Sequence, residues 1–327
     1  MNKLLRFLVT SLLLGWIGWK TEWDKVQQGF AHLEVGYWLA AVGVLLASQI
    51  VSAARWKVFA DQLGMRRTLR QLTGYYFIGM YFNLLLPTSV GGDVVRAWFL
   101  NARSGRKLRS VAAVLLDRLN GLGVLVMMAC VGALFLPPEM PSWIGWSVAG
   151  IAAAGMFGVL SLLAIRHLGL LPANRVQQFN VMWEVVGSPR SLIATTLLSA
   201  VVQLANAALV WLIAQGLGST VPFSYYAVLV PMVSLLTLLP ISVNGMGIRE
   251  EATVLFLAPW GVAKEMALTL ALLWFAAHLA ASMLGGLVYL FGHFPKPNTG
   301  TNEKEVEDGT VDRDPDQGRE GQLGRAA

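Results

Sequence analysis

Charged residues are scarce in this sequence, and so are the side chains that form disulfides or bind metals. Only 13% of the 327 residues are Asp, Glu, Lys or Arg, whereas 55% are hydrophobic. A soluble protein of this length needs far more polar surface, so the composition excludes a soluble globular fold. The single cysteine, Cys130, excludes an intramolecular disulfide and a cysteine-based zinc site. The four histidines are scattered without ligand spacing, so we expect no metal and no other cofactor.

The sequence contains long apolar stretches. Several of them reach about 20 residues, which predicts an all-α, polytopic membrane protein. We expect about six full crossings: one in the first 20 residues, and the others at 36–60, 110–136, 143–165, 190–216 and 266–292. Residues 20–35 are predicted to form a polar loop, and residues 173–188 a short amphipathic helix. The positive charge outside the tail is typical of membrane-protein loops, and we expect no nucleic-acid partner.

One pattern occurs twice. Residues 85–96 read LLPTSVGGDVVR, and residues 238–249 read LLPISVNGMGIR. Seven of the twelve positions are identical at an offset of 153 residues: Leu85/Leu238, Leu86/Leu239, Pro87/Pro240, Ser89/Ser242, Val90/Val243, Gly92/Gly245 and Arg96/Arg249. Pro87 and Pro240 are expected to break a helix at these points. Internal symmetry of this kind is typical of transporters that are built from repeats.

Basic residues flank the first copy on both sides. Arg55, Lys57 and the arginines at 66, 67 and 70 precede it, and Arg103, Arg106, Lys107 and Arg109 follow it. Both flanks are therefore predicted to be cytoplasmic, so the segment between them is expected to be a re-entrant hairpin, entering over 72–86 and returning over 93–102. The second copy then lies in a hairpin over 223–259 that is entered from outside. The halves 36–136 and 190–292 would form an inverted repeat, with both termini in the cytoplasm.

The residues around each hairpin tip suit an anionic group. Ser89 and Ser242 are expected to cap the helices that follow the turns, and the glycines permit the turns and the close approach of a ligand. Arg96 and Arg249 lie near helix N-termini, where an anion is favoured. The residues predicted to bind substrate are Arg96, Arg249, Asp93, Glu250, Ser89, Ser242, Gly91, Gly92, Asn244, Gly245, Asp117 and Arg118.

A structural role is the alternative for several of these residues. Asp93 and Arg96 are three residues apart and could form an ion pair that only fixes the hairpin. Arg249 could pair with Glu250 or extend to the membrane surface. For Asp117 and Arg118 the sequence favours the structural and the functional interpretation equally. Asn83 is expected to make a helix–helix hydrogen bond.

The stretch PTSVGGDVVRAW, with Asp117 and Arg118 about 20 residues later, resembles the flippase-like transmembrane domain of bacterial lysylphosphatidylglycerol synthases. The later PISVNGMGIRE is similar to the second signature of that family, and the resemblance covers about residues 3–293. It implies a protein of the bacterial inner membrane that moves a lipid between leaflets, without identifying the lipid. The synthases carry a soluble aminoacyl-transferase domain after the membrane part. Only 33 residues follow here (295–327), so we expect that this chain does not make lysylphosphatidylglycerol.

The sequence therefore predicts a transmembrane domain over residues 1–294 and a disordered polar tail over 295–327. The leading hypothesis is a lipid transporter, or flippase, without enzymatic activity. Its substrate would be an anionic phospholipid or a polyprenyl phosphate, taken from the bilayer. One alternative is an intramembrane lipid-modifying enzyme. The other is a scaffold that partners a lipid- or glycan-synthesis enzyme.

Overall fold

Nine α-helices make up the part of the chain that the structure describes. This computed structural model covers residues 23–31, 33–85, 91–102, 106–135, 188–238 and 245–292, together with Ser242 and scattered positions at 15, 19 and between 142 and 161. The helices are α1 (Trp23–Ala31), α2 (Val35–Gln62), α3 (Leu69–Leu85), α4 (Gly91–Asn101), α5 (Lys107–Ala133), α6 (Pro189–Gly216), α7 (Phe223–Leu238), α8 (Ile248–Leu257) and α9 (Lys264–Phe291).

Four helices are long and apolar enough to cross a membrane: α2, α5, α6 and α9. Each has 27 or 28 residues, or about 40 Å at 1.5 Å per residue, against roughly 30 Å of hydrocarbon. They confirm the all-α membrane class and four of the predicted crossings. The predicted crossings in the first 20 residues and at 143–165, the amphipathic helix at 173–188 and the tail lie wholly or mostly outside the described residues.

Two shorter helices form a hairpin after α2, and two more form one after α6. In the first hairpin Asn83 contacts Gly92, Tyr76 contacts Arg96, and the rings of Tyr75 and Phe99 stack at 5.2 Å. Contacts that run backwards along α3 and forwards along α4 show that the two helices are antiparallel. The helices have 17 and 11 residues here, and 16 and 10 in the second hairpin, so each is shorter than the hydrocarbon thickness.

The two halves pack in corresponding ways. Helix α3 packs on α9 as α7 packs on α5, and α4 packs on α5 as α8 packs on α9. Helices α2 and α6, which begin the two halves, form the most extensive helix pair in the described part of the chain. Each half therefore consists of a long helix, a hairpin and a second long helix, as the repeat predicts.

The hairpins start from opposite ends of this bundle. Helices α2 and α6 are antiparallel, because the Glu34 amide donates to the Gly216 carbonyl at one end and Gln62 donates to Ser191 at the other. The first hairpin begins and ends at the Gln62 end, where Arg109 donates to the Leu63 carbonyl at 3.1 Å. The second begins and ends at the Gly216 end, where Tyr225 donates to the Phe256 carbonyl.

Each hairpin has its own buried apolar core. The first core lies among α2 to α5 and includes Trp56, Phe59, Tyr75, Phe99 and Leu100. The second joins α7, α8 and α9 to α2, α5 and α6, and includes Leu45, Val210, Tyr226, Leu229 and Phe256. The helices of both hairpins are thus packed as protein interior.

The predicted polar loop at 20–35 is wrong over residues 23–31, which form helix α1. This helix has an acidic residue, Asp24, in its first turn and buries Val26. It packs on α9. Asp24 lies on the exposed side of this helix, and the helix is too short to be recognised as a long apolar run.

Helices α3 and α4 approach closely at Gly79 and Gly92. A methyl group on Gly92 would overlap the carbonyl of Gly79 and the side chain of Asn83. We therefore expect Gly92→Ala to lower the free energy of unfolding by about 2–3 kcal/mol, because the overlapping group is backbone and cannot rotate away. Gly123→Ala on α5 is the matched control, since nothing lies within 4 Å of its added methyl. Equal thermal unfolding of the two variants would contradict the close packing.

Candidate functional site

Asp117 lies at the centre of a buried group of charges. Its Oδ1 is 2.7 Å from Nε of Arg55 on α2, and its Oδ2 is 2.8 Å from Nη2 of Arg96 on α4. One carboxylate from α5 thereby joins the first hairpin to two long helices. A guanidinium buried without a counter-ion is costly, which explains why both arginines converge on the same carboxylate.

The group continues outward through Asp93. Oδ1 of Asp93 is 3.3 Å from Nη1 of Arg96, and its Oδ2 is 2.7 Å from Nε of Arg118. The five residues in contact order, Arg55, Asp117, Arg96, Asp93 and Arg118, are called the charged network below. Their side chains are 6%, 0%, 4%, 13% and 48% exposed in that order, so the network runs from the core to the surface. Three arginines against two aspartates give it a formal charge of +1.

Aromatic rings enclose the central arginine. The guanidinium carbon of Arg96 is 4.4 Å from the ring centroid of Trp56 and 4.0 Å from that of Tyr76. A methyl group on Gly79 would meet the Arg96 stem, so the glycine leaves room for this side chain. Cation–π contacts of this kind strengthen when water is excluded. Arg96 is therefore held by both charge and shape.

At the inner end, the network joins a seam of polar residues between α5 and α6. Nη1 of Arg55 donates to Oγ of Ser199 at 2.7 Å, and Ser199 donates to Oδ1 of Asn120 at 2.6 Å. Asn120 in turn donates to Thr196 at 3.3 Å. Hydrogen bonds between helices are the usual way to satisfy polar groups in a membrane domain. The network is thereby tied to the second half of the fold through α6.

Comparison with known families agrees with this architecture. The family model described as Lysylphosphatidylglycerol synthase TM region matches residues 3–286. The chain belongs to this family. It is therefore a multi-pass membrane protein tied to lipid metabolism, and the resemblance seen in the sequence is confirmed. No curated protein matches the chain.

The second hairpin of this family member carries a simpler arrangement. Nη2 of Arg249 is 2.7 Å from Oε1 of Glu250, and the guanidinium lies 4.9 Å from the ring centroid of Phe275. The other oxygen of Glu250 accepts the Gly247 amide at 2.6 Å. Arg249 thus has a neighbouring carboxylate, as the structural alternative in the sequence suggested, and that carboxylate also caps α8.

The N-terminus of α8 differs from the sequence expectation, whereas Ser89, the expected cap of α4, lies outside the described residues. Helix α8 begins at Ile248 with Gly247 as its N-cap, so Ser242 does not cap it and that prediction is wrong. The reason is that Gly245 and Gly247 both have positive φ, which extends the turn beyond Ser242. In the first hairpin, Oδ1 of Asn83 accepts the Gly92 amide at 2.7 Å, and the helix–helix bond predicted for Asn83 is confirmed.

The remaining predicted residues divide into those that the structure describes and those that it does not. Gly91 is the first residue of α4, and Asp93 and Arg96 lie on one face of that helix. Asp117 and Arg118 point in different directions, one into the core and one to the surface. Pro87, Ser89, Pro240 and Asn244 lie outside the described residues.

Arg55 is the functional candidate that the sequence analysis missed. It was assigned to the cytoplasmic charges, but its side chain is buried in the network, so that assignment is wrong. The cause is its position two residues before Lys57, which does extend to the helix end and pairs with Asp61. The available signal was a polar face on an apolar helix, because Ser48, Ser52 and Arg55 follow the i, i+4, i+7 spacing.

Several buried donors have no hydrogen-bond partner among the described residues, and they include Nε of Arg96, Nε of Arg249 and Oγ of Ser242, besides Nε1 of Trp56 and two nitrogens of Arg67. Unpaired buried polar groups are costly, so they are rare in folded proteins and merit a functional explanation. Arg96, Arg249 and Ser242 belong to the repeated pattern, whereas Trp56 and Arg67 lie outside it. Both hairpins therefore hold donors that an oxyanion could accept from.

Proposed function

We propose that this protein is a lipid transporter that moves an anionic lipid between the leaflets of the bacterial inner membrane, without chemical conversion. The substrate class is a phospholipid or polyprenyl lipid with a phosphate headgroup. The headgroup binds at the first hairpin beside Arg96 and at the second beside Arg249. The acyl or prenyl chains stay in the surrounding bilayer.

The observation that carries this proposal is the excess positive charge of the charged network. Its buried part, Arg55, Asp117 and Arg96, has two cations to one anion, and the complete network is also +1. A single uncompensated charge in the hydrocarbon is costly, so a structural cluster would be expected to balance. A phosphate brings the missing negative charge and accepts the forked hydrogen bonds that arginine donates.

Exchange between carboxylate and phosphate gives a mechanism for binding and release. Asp93 pairs with Arg96, and Glu250 pairs with Arg249. An arriving phosphate takes the place of a carboxylate, and the carboxylate later helps to release it. Because similar charges are exchanged, no step leaves a bare arginine in the membrane.

The position of the hairpins supports a transport cycle. We propose that they are re-entrant and enter from opposite membrane faces as an inverted repeat, with the basic loops and both termini in the cytoplasm. Their location at opposite ends of the antiparallel pair α2 and α6 supports this arrangement. Rocking of one half against the other then opens the site to each leaflet in turn.

Cysteine accessibility tests the membrane orientation. In a Cys130→Ala background, Arg66→Cys and Ala263→Cys place single thiols at exposed positions near the start of the first hairpin and the end of the second. An impermeant maleimide added to sealed, right-side-out vesicles is expected to label position 263 and to label position 66 only after permeabilisation. Labelling of both positions from the same side would contradict the inverted arrangement.

Reconstitution tests the transport itself. Proteoliposomes are loaded with a fluorescent phosphatidylglycerol, and the leaflet that it occupies is measured by reduction of the outer probe with dithionite. The purified chain is expected to accelerate exchange at least tenfold over protein-free vesicles, and the extracted lipid should be chemically unchanged. Altered lipid without faster exchange would indicate the lipid-modifying enzyme. If the lipid were unaltered and its exchange no faster, the result would favour the scaffold.

A further inference from the structure

A groove of about 410 Å³ lies on the outer side of the first hairpin, between α4 and α5. Apolar side chains form most of its walls, among them Val94 and Trp98 from α4 and Val111 and Leu115 from α5. All four are substantially exposed, because each helix turns one apolar stripe toward the groove. The volume lies within the range of small-molecule and cofactor sites.

Charged groups lie along this otherwise apolar groove. Lys107, at the first residue of α5, and Arg118, eleven residues further on, both line it, as does Asp93. Eleven residues of helix correspond to about 16 Å, or roughly half the hydrocarbon thickness. Arg118 is thus near the middle of a spanning helix and half exposed, and the Asp93 carboxylate is its counter-ion.

Asp93 connects the groove to the buried site. Its two oxygens contact different arginines, Arg118 in the groove at 2.7 Å and Arg96 in the core at 3.3 Å. An anionic group that replaces the Asp93 carboxylate at Arg118 therefore needs only one further replacement, again of Asp93, to reach Arg96.

We propose that this groove is the lateral entry site for one molecule of an anionic glycerophospholipid, with Asp93 as the positioning residue that controls its transfer from Arg118 to Arg96. The phosphate binds Arg118, and an acyl chain lies against Val94, Trp98 and Val111. The inference rests on the proposed transport function, because it supplies the route by which the lipid reaches the site. The groove is lined by two cations, Lys107 and Arg118, and one carboxylate, Asp93, and this positive charge favours an anionic lipid over a zwitterionic one.

Photo-crosslinking tests occupancy without requiring transport. Trp98→p-benzoylphenylalanine in the full chain, reconstituted in vesicles, is expected to capture radiolabelled phosphatidylglycerol about tenfold more than phosphatidylcholine. The difference corresponds to one charge-assisted contact. Leu204→p-benzoylphenylalanine on α6, which is similarly exposed and outside the groove, should capture both lipids equally. Equal capture at position 98 in this otherwise wild-type chain overturns the proposal, so no destabilised variant is needed.

Two substitutions separate the roles of the groove residues. Arg118→Gln is expected to remove the tenfold preference, whereas Arg118→Lys keeps most of it. Asp93→Asn removes the competing carboxylate, so capture of phosphatidylglycerol at position 98 should rise several-fold while transport falls. Asp93→Glu should restore transport. Unchanged or reduced capture in Asp93→Asn overturns the transfer role, because a merely structural carboxylate would not increase lipid binding when removed.

The results also distinguish this inference from the proposed function. Selective capture at position 98 without any exchange between leaflets would retain the groove as a lipid site and refute transport. Lipid exchange between leaflets without selective capture of phosphatidylglycerol at position 98 would support transport but would show that the lipid does not enter through this groove.

Discussion

Asp117→Asn is expected to lower the free energy of unfolding by about 3–5 kcal/mol, the largest stability effect that the structure predicts. The Asp117 carboxylate is fully buried and neutralises one of the two guanidinium groups that contact it. Removing its charge leaves Arg55 and Arg96 facing each other in the core, which is the case in which breaking a buried ion pair is most costly. Reversible unfolding in mixed micelles, followed by tryptophan fluorescence, measures the change.

Asp61→Asn is the control for this prediction. Asp61 pairs with Lys57 one turn away near the end of α2, and both side chains are partly exposed. Exposed pairs at this spacing contribute about 0.3–0.5 kcal/mol, so the variant should unfold almost as the wild type does. If Asp117→Asn unfolded at the same denaturant concentration as Asp61→Asn, the charged network would not hold the hairpin.

Arg96→Lys is expected to slow lipid exchange at least tenfold while the protein remains folded. Lysine keeps the positive charge beside Asp117 but loses the planar group that lies against Trp56 and Tyr76. It also cannot present two donors to a phosphate in the forked geometry that arginine offers. The measurement is the initial rate of phosphatidylglycerol exchange in proteoliposomes at equal protein density.

Arg70→Lys provides the matched substitution, because Arg70 is exposed in the first turn of α3, away from the charged network. It should exchange lipid at the wild-type rate. A wild-type rate in Arg96→Lys would show that charge alone suffices at this position. The exchange mechanism proposed for the first hairpin would then be incorrect.

The helices and the repeat could be predicted because their signals are local. The spans expected at 36–60, 110–136, 190–216 and 266–292 agree with helices α2, α5, α6 and α9 to within four residues at each end. Apolar length and turn residues determine such elements without reference to the rest of the fold. The helices expected at 72–86 and 93–102 in the first hairpin also agree with α3 and α4 to within three residues at each end.

The charged network could be predicted only in part, because its members are distant in sequence. Asp93 and Arg96 are three residues apart, and the ion pair that the sequence offers as their structural alternative is present, whereas Arg55 and Asp117 are separated by 62 residues. Positive charge near a helix end is usually a topological signal, and this rule misassigned Arg55. Only the packing of α2 against α5 distinguishes a buried arginine from a loop arginine here.

The repeat also predicts more symmetry than the structure has. At the offset of 153 residues, Arg55 and Asp117 correspond to Ala208 and Leu270, which carry no charge. Arg249 therefore lacks a counterpart of the carboxylate that holds Arg96 and pairs with its neighbour Glu250 instead. The two hairpins share a backbone plan but differ in charge, so they need not bind the headgroup with equal strength.

The most direct test of an anionic-lipid transporter is the ratio of two initial rates in one preparation. Fluorescent phosphatidylglycerol and phosphatidylcholine with the same acyl chains are followed in parallel vesicles that contain the wild-type chain. The positive charge of the network predicts at least tenfold faster exchange for the anionic lipid. Equal rates for the two lipids, or rates no faster than in protein-free vesicles, would contradict the proposed function.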